Sequence, residues 1–185
     1  MKDRPSPARW AHYVECVTLP RVVIIGGGFG GLEATRALEH APVDITIIDK
    51  TNHHLFQPLL YQVASATLAP STIAVPIRWI FRRQRNVEVL LGEATNIDVA
   101  RRVVELDHGA GEVPYDYVIV AAGTRHSYFG HPEWERYAPG LKAVDDALVI
   151  RSHFLMAFEE AERDPDPQRL PSVAVLPAAL SLRCV

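Results

Sequence analysis

Cysteine is nearly absent from this chain of 185 residues, because only Cys16 and Cys184 occur and they stand near opposite ends. No C-x-x-C or C-x-x-x-x-C pair is present, which excludes a redox dithiol within the chain and a thiol-ligated metal cluster. Two isolated cysteines fit a reducing compartment, so we expect a cytoplasmic protein. Long apolar runs are missing as well, since no segment approaches the roughly 18 apolar residues that a membrane span needs.

An excess of basic charge is the second absence. The formal net charge is −3 at pH 7, and no stripe of lysine and arginine runs along the chain. A polyanion-binding surface is therefore not indicated, and we expect no nucleic-acid partner. Residues 1–20 hold no continuous apolar stretch of the kind that a secretory signal has, so we interpret them as an N-terminal extension. The length suits one domain or slightly more.

Glycine, with 11 residues in the chain, is concentrated in residues 26–31, which read Gly-Gly-Gly-Phe-Gly-Gly. A β-branched run (Arg21–Ile25) enters this cluster, a helical pattern over residues 32–38 leaves it, and a second β-branched run (Asp44–Asp49) ends in an acid. This order of strand, glycine cluster, helix, strand and acid is the G-x-G-x-x-G fingerprint of a dinucleotide-binding βαβ unit.

Each part of the fingerprint has a predicted task. Gly26 permits a tight turn, Gly28 lets the backbone approach a pyrophosphate, and Gly31 lets the helix pack close to the strand. The helix N-terminus offers free N–H groups and the positive end of its dipole to the phosphates. Asp49, about 18 residues after Gly31, is placed to accept hydrogen bonds from a ribose. The pattern predicts an adenine dinucleotide and leaves FAD and NAD both open.

Two helices and a loop are predicted between the βαβ unit and residue 86. Pro58 suits the first turn of a helix with one apolar face. Residues 70–71 (Pro-Ser) are typical of a helix start, and the arginines of residues 82–85 would complement the dipole of its last turn. His53 and His54 are adjacent and would point apart on a regular element, so we interpret them as a hydrogen-bonding loop pair and not as metal ligands.

The following segment is predicted to be rich in strands. Residues 87–91, 93–99 and 102–106 read as short strands separated by turns, which suggests an antiparallel meander attached to the main sheet. Residues 116–124 form an apolar run that is predicted to be a strand buried on both faces. Its small residues, among them Ala121 and Gly123, allow close backbone approach in the cleft that also holds the glycine cluster.

A helix is predicted from Asp145 or Asp146 to about Arg163. Its packed positions are predicted to include Ala147, Leu148, Leu155 and Phe158. The whole pattern predicts an α/β fold with a central parallel sheet and an antiparallel β-meander.

Four segments then carry a family resemblance: residues 24–32 (Ile-Ile-Gly-Gly-Gly-Phe-Gly-Gly-Leu), residues 52–64 (Asn-His-His-Leu-Phe-Gln-Pro-Leu-Leu-Tyr-Gln-Val-Ala), residues 116–124 and residues 145–154. From residue 21 to about residue 170 the chain resembles the type II NADH dehydrogenases, which are single-subunit flavoprotein NADH:quinone oxidoreductases. The second segment is the most telling, because related disulfide reductases carry their redox cysteine pair just after the second strand. This chain has no cysteine there.

The resemblance implies a partial Rossmann-like FAD-binding domain over residues 21–165, with FAD in the glycine loop. It also implies a set of cofactor-binding residues: Gly26, Gly28, Phe29, Gly30 and Gly31 at the pyrophosphate, Asp49 at the adenosine ribose, Lys50 and Gln57 towards the flavin, Ala94 at the adenine, and Ala121 and Gly123 at the small strand end. The implied reaction is hydride transfer from NADH to the flavin, followed by two-electron reduction of a quinone. The implied location is the cytoplasmic face of a membrane, and no side chain is assigned a catalytic role.

The chain departs from the family near residue 171. There the family begins a second glycine fingerprint, which binds NADH, whereas residues 171–185 contain no glycine. We therefore expect residues 166–185 to be a divergent tail, produced by truncation or frameshift, with a natural short form as the alternative. We also expect the NADH domain, the quinone site and the membrane-attachment region to be missing. Three functions stay open: an NADH:quinone oxidoreductase, a flavoprotein completed by another chain, and a non-enzymatic remnant. A homo-oligomer is compatible with the sequence.

Overall fold

The computed structural model describes residues 18–107, 111–125 and 127–163. Most of the predicted N-terminal extension and all of the predicted tail lie outside the described residues. In chain order the helices and strands are β1 (Arg21–Ile25), α1 (Phe29–Ala37), β2 (Asp44–Asp49), β3 (His53–Leu55), α2 (Leu60–Ala64), β4 (Ala74–Pro76), α3 (Ile77–Ile80), β5 (Val87–Leu91), β6 (Ala94–Asp98), β7 (Val103–Leu106), β8 (Glu112–Pro114), β9 (Tyr117–Val120) and α4 (Val144–Arg163). Short 3-10 turns precede α2 and β4.

A four-stranded parallel sheet in the order β5-β2-β1-β9 forms the centre of the fold. All three pairings are parallel, and β1 lies between β2 and β9. The β-branched runs of β1 and β2 suit a pleated, buried surface. Because parallel strands require crossover connections, α1 joins β1 to β2 across one face of the sheet. The predicted α/β fold with a central parallel sheet is confirmed.

Both faces of this sheet are covered. Alternate residues of β1 and β2 point to opposite faces, so each strand contributes to two apolar clusters. On the helical face, α1 and α3 complete the cluster Val22, Ile24, Leu32, Ile45, Ile47, Ile77 and Phe81. On the other face, the antiparallel meander β6-β7-β8 completes the cluster Val23, Ile25, Ile48, Val104, Leu106 and Tyr115. An antiparallel meander is thus confirmed, but its membership differs from the prediction: residues 87–91 form β5 of the parallel sheet, and β8, which sequence patterns did not reveal, is the third strand of the meander.

A third apolar cluster lies between α2 and α4. It comprises Leu60, Val63, Ala64, Ile73 and Ala147, all of them buried. The helix predicted from Pro58 is confirmed as a 3-10 turn (Gln57–Leu59) followed by α2. Pro58 stands in that 3-10 turn, where its missing N–H costs nothing.

The prediction of one helix through residues 70–86 is wrong. Only a 3-10 turn (Pro70–Thr72) follows the capping signal, and β4 then pairs antiparallel with β3. The helix α3 begins after Pro76 and has four residues. The backbone becomes extended at residue 74 because β3 supplies hydrogen-bond partners to β4. The local helix signals of the sequence do not encode this pairing.

The prediction that β9 is buried on both faces is also wrong. Tyr117 is 64% exposed and Val120 is 65% exposed. Among the described residues β9 pairs with β1 alone, so it is an edge strand of the sheet. The run ends at residue 120, short of the predicted residue 124, because the following segment makes no ladder and Gly123 adopts a φ of +75°.

α4 begins at Val144, shortly before the predicted Asp145 or Asp146, and is described as far as Arg163, but its packing differs from the prediction. Asp146 accepts hydrogen bonds from the backbone N–H groups of Lys142 and Ala143, which caps the helix N-terminus. Ala147 is fully buried, whereas three other predicted core positions are 41–57% exposed: Leu148, Leu155 and Phe158. The cluster with α2 takes in Ala147 and Ile150 from the first turns of α4, whereas Phe158 meets the ring of Phe154 at 5.1 Å between centroids and stays largely exposed. In the described part of the chain, no helix has both the length and the apolar character that crossing a membrane demands.

Candidate functional site

The carboxyl ends of the four parallel strands bring the predicted site residues to one edge of the sheet. The N–H of Gly26 donates to the carbonyl of Ile48, and the N–H of Ala121 donates to the carbonyl of Ile25, each at 2.8 Å. The N–H of Gly92, at the end of β5, donates to the carbonyl of Asp49 at 3.0 Å. These bonds tie the segments after β1, β2, β5 and β9 together. Ligands of open α/β sheets bind at this edge.

Gly26 and Gly31 are required by the geometry of the loop itself. Gly26 has a φ of +107°, and a Cβ there would overlap the carbonyl oxygen of Ala121. A Cβ on Gly31 would overlap the carbonyl oxygen of Gly26, because α1 and β1 approach closely at that point. Both contacts are with backbone atoms, which cannot rotate away as a flexible side chain could. The tight turn and the close helix–strand approach expected from the fingerprint are both present.

Gly28 and Gly30 differ from those two glycines because the space beside them is open. A Cβ on Gly28 would meet no atom of the described residues within 4 Å, and a Cβ on Gly30 would meet only the Ala121 side chain at 3.7 Å. Gly28 is the N-cap of α1, in extended conformation (φ −75°, ψ −168°), and the first turn carries no acidic residue. The positive end of the helix dipole therefore has no side-chain cap and lies beside open space at Gly28 and Gly30, while the Asp49 carboxylate binds the neighbouring N–H of Gly27. These features fit a phosphate-bearing cofactor.

Asp49 is at the end of β2, as the fingerprint requires, but its carboxylate organises the loop. One oxygen accepts a hydrogen bond from the N–H of Gly27 at 2.5 Å. The other accepts from the N–H and the hydroxyl of Thr51, each at 2.7 Å. A carboxylate has about four acceptor positions, so three are used and one remains.

An aromatic group beside the loop was not recognised from sequence. His54 lies in β3, and its Nδ1 is 3.1 Å from the carbonyl oxygen of Gly27. The ring of Phe29 meets the edge of His54 at 4.9 Å and that of Phe56 at 5.6 Å between centroids. The prediction of hydrogen bonding by the histidine pair is confirmed for His54, but the predicted loop is wrong, because β3 pairs with β4. Alternation along a strand sends only one of two adjacent histidines towards the glycine loop.

The remaining predicted cofactor residues lie at the same edge or follow it in the chain. Lys50 and Gln57 are exposed, directly after β2 and at the start of the 3-10 turn. Ala94, which is half-buried, begins β6 two residues after Gly92. Ala121 and Gly123 follow β9. The structure thus places these positions at or just beyond the ends of β2, β3, β5 and β9, and their contacts with a cofactor stay a prediction.

A lysine that the sequence patterns did not single out holds the segment after β9. The Nζ of Lys142 donates to the carbonyl oxygen of Thr124 at 3.1 Å and to its hydroxyl at 2.5 Å. Because the backbone of Lys142 is itself bound by Asp146 at the start of α4, the tip of β9 is attached to α4. Sequence patterns did not predict this contact because residues 124 and 142 are distant in sequence.

Comparison with known proteins agrees with this geometry. The family model of the pyridine nucleotide-disulphide oxidoreductases matches residues 20–162. The type II NADH:quinone oxidoreductase Ndh of Mycobacterium tuberculosis is 54% identical over 151 residues, covering 80% of this chain and 33% of that protein. NdhA of the same organism is 55% identical over 148 residues, covering 79% of this chain and 32% of that protein. The structure of NDH2 from Plasmodium falciparum superposes with a TM-score of 0.71 at 27% identity, covering 80% of this chain and 31% of that one.

The chain therefore spans about a third of the length of the relatives that it matches. The resemblance to type II NADH dehydrogenases, which rested on four segments of the sequence, is confirmed by identities above one half. The family match covers the glycine loop, the strand ends around it and α4 almost to its last residue. This chain belongs to the pyridine nucleotide-disulphide oxidoreductase family.

Proposed function

We propose that this chain binds FAD at the carboxyl edge of its parallel sheet, as the FAD-binding part of a type II NADH:quinone oxidoreductase. The observation that carries the proposal is the division of the glycines into two groups. Gly26 and Gly31 are glycine because backbone atoms leave no room for a Cβ. Gly28 and Gly30 have room for a Cβ, so a ligand accounts for glycine at these two positions.

Each residue of the site then has a task towards the cofactor. The N–H groups at the start of α1 would bind the pyrophosphate, which approaches over Gly28 and Gly30. Asp49 would use its remaining acceptor position for the adenosine ribose. Phe29, Lys50, Gln57, Ala94, Ala121 and Gly123 would line the cleft. Bound FAD would supply hydride acceptance and two-electron transfer, and the chain would orient it.

The activity of the whole enzyme follows from the relatives. The two mycobacterial proteins are NADH:quinone oxidoreductases by name, and we infer that NADH is the electron donor and a quinone the acceptor of the enzyme to which this chain corresponds. Since the chain spans about a third of those proteins, we assign it the FAD-binding step and not the complete reaction.

FAD binding by the purified chain tests the proposal. Titration with FAD, followed by quenching of flavin fluorescence, should saturate, and NADH should bind more weakly because the loop is matched to the flavin cofactor. Gly28→Val should raise the Kd for FAD by roughly tenfold or more, because its side chain fills the space of the pyrophosphate. The extended conformation of residue 28 accepts a β-branched side chain, so the fold should persist.

Gly92→Ala is the matched control. A Cβ at residue 92 would lie in ordinary contact, 3.6 Å from Leu106, on the same sheet edge but outside the phosphate loop. Its Kd for FAD should equal that of the wild type, and circular dichroism should show the same fold for all three proteins. Equal affinity of the wild type and Gly28→Val would refute the assignment of the loop to the cofactor.

A further inference from the structure

The phosphate loop is held from two sides by side chains of other elements. Asp49, at the end of β2, accepts a hydrogen bond from the N–H of Gly27. His54, in β3, makes a hydrogen bond of 3.1 Å with the carbonyl oxygen of the same residue. Gly27 is buried, and a Cβ on it would overlap the Cδ1 atom of Ile77. The two peptide groups that flank Gly27 are therefore each fixed by a specific partner.

The orientation of these peptide groups determines where the loop presents its polar atoms. A peptide unit is planar and trans, so its C=O and N–H point in opposite directions. Because Asp49 binds the N–H of Gly27, the carbonyl of Gly26 points the other way, towards Gly31 of α1, as its close approach shows. Because His54 binds the carbonyl of Gly27, the N–H of Gly28 points away from His54.

We propose that His54 is a positioning residue for the phosphate loop, which it prepares for the cofactor by fixing the peptide between Gly27 and Gly28. The proposal rests on the proposed FAD binding, and it assigns to His54 the task of turning the Gly28 N–H towards the open side of the loop. A carbonyl oxygen can only accept, so Nδ1 of His54 carries the hydrogen. The edge contact with Phe29 holds the imidazole ring in place.

Two substitutions at residue 54 separate the hydrogen bond from the ring. His54→Phe keeps an aromatic ring against Phe29 but has no donor. His54→Asn loses the ring, yet its amide nitrogen stands the same number of bonds from the backbone as Nδ1 and can donate to Gly27. His53→Phe, on the neighbouring position of the same strand, is the control for aromatic substitution in β3.

The Kd for FAD should rise about fivefold in His54→Phe, which corresponds to the loss of one neutral hydrogen bond. His54→Asn should stay close to the wild type, and His53→Phe should not change. In the 15N-labelled chain without cofactor, the Gly28 amide signal should move in His54→Phe and return towards its original position in His54→Asn. Rescue by asparagine is a response that general destabilisation of β3 would not produce.

Equal weakening of FAD binding in His54→Phe and His54→Asn would overturn the proposal, since the ring and not the hydrogen bond would then matter. Unchanged binding in both variants would overturn it as well. A wild-type chain that binds no FAD would refute the proposed function instead. In that case an unchanged Gly28 amide signal in His54→Phe would separately refute the ordering of the loop by His54.

Discussion

Two adjacent glycines at the start of α1, Gly30 and Gly31, should change the stability of the chain in opposite directions when each is replaced by alanine. In Gly31→Ala the new Cβ overlaps the carbonyl oxygen of Gly26, so α1 and β1 must move apart. Overpacking of this kind costs about 1–3 kcal/mol, which exceeds the roughly 0.5–1 kcal/mol that alanine gains over glycine in a helix. In Gly30→Ala the nearest atom is the Ala121 Cβ at 3.7 Å, an ordinary contact. Gly30→Ala therefore keeps the stability that alanine gains over glycine in a helix, with no overpacking cost to set against it.

Thermal and urea unfolding of the chain without cofactor measure this difference. One kcal/mol corresponds to roughly 2–4 °C in the melting temperature of a chain of this size. Gly31→Ala should therefore melt a few degrees below the wild type, with a net loss of about 1 kcal/mol once the helix gain is subtracted, and Gly30→Ala should melt slightly above it. A Gly31→Ala protein as stable as the wild type would refute the argument that backbone contact between α1 and β1 demands glycine. FAD affinity is a separate readout and is not needed for this result.

Substitutions at three other side chains should change the stability of the chain through the contacts that these side chains make. Asn86→Asp should cost about 1–3 kcal/mol by urea unfolding, because the side-chain amide donates to three carbonyl oxygens after α1 and a carboxylate would repel them; unchanged stability would contradict this role. The Arg21 guanidinium lowers the pKa of Asp116 by hydrogen bonding, so the stabilisation is present above the unfolded value of about 3.9 and is lost as pH falls below it. The difference in urea midpoint between wild type and Asp116→Asn should accordingly shrink between pH 6 and pH 3, and a constant difference would disprove the linkage. Ile77→Ala, at a fully buried side chain against Gly27, should cost roughly 2–5 kcal/mol, whereas a loss well below that range would mean that the loop collapses into the space.

The sequence alone determined the βαβ unit and the position of the site. The strands Arg21–Ile25 and Asp44–Asp49 have the bounds that their β-branched runs predict. The glycine cluster could be interpreted because φ > 0 at Gly26 and the lack of a Cβ at Gly31 are local requirements that only glycine meets. Since the carboxyl ends of parallel strands share one edge, the grouping of Asp49 and Ala121 with the loop also followed from sequence order.

Only the tertiary structure decided which apolar residues are covered and which polar atoms meet. An apolar run predicts burial, yet Val120, on the edge strand β9, and Phe158, in the later turns of α4, are largely exposed. The segment after residue 73 has helix signals, but pairing with β3 makes it a strand. His54 reaches Gly27 because β3 and β4 together place it there, across 27 residues of sequence. Such contacts depend on the relative positions of distant elements, and residue type and spacing along one segment do not encode them.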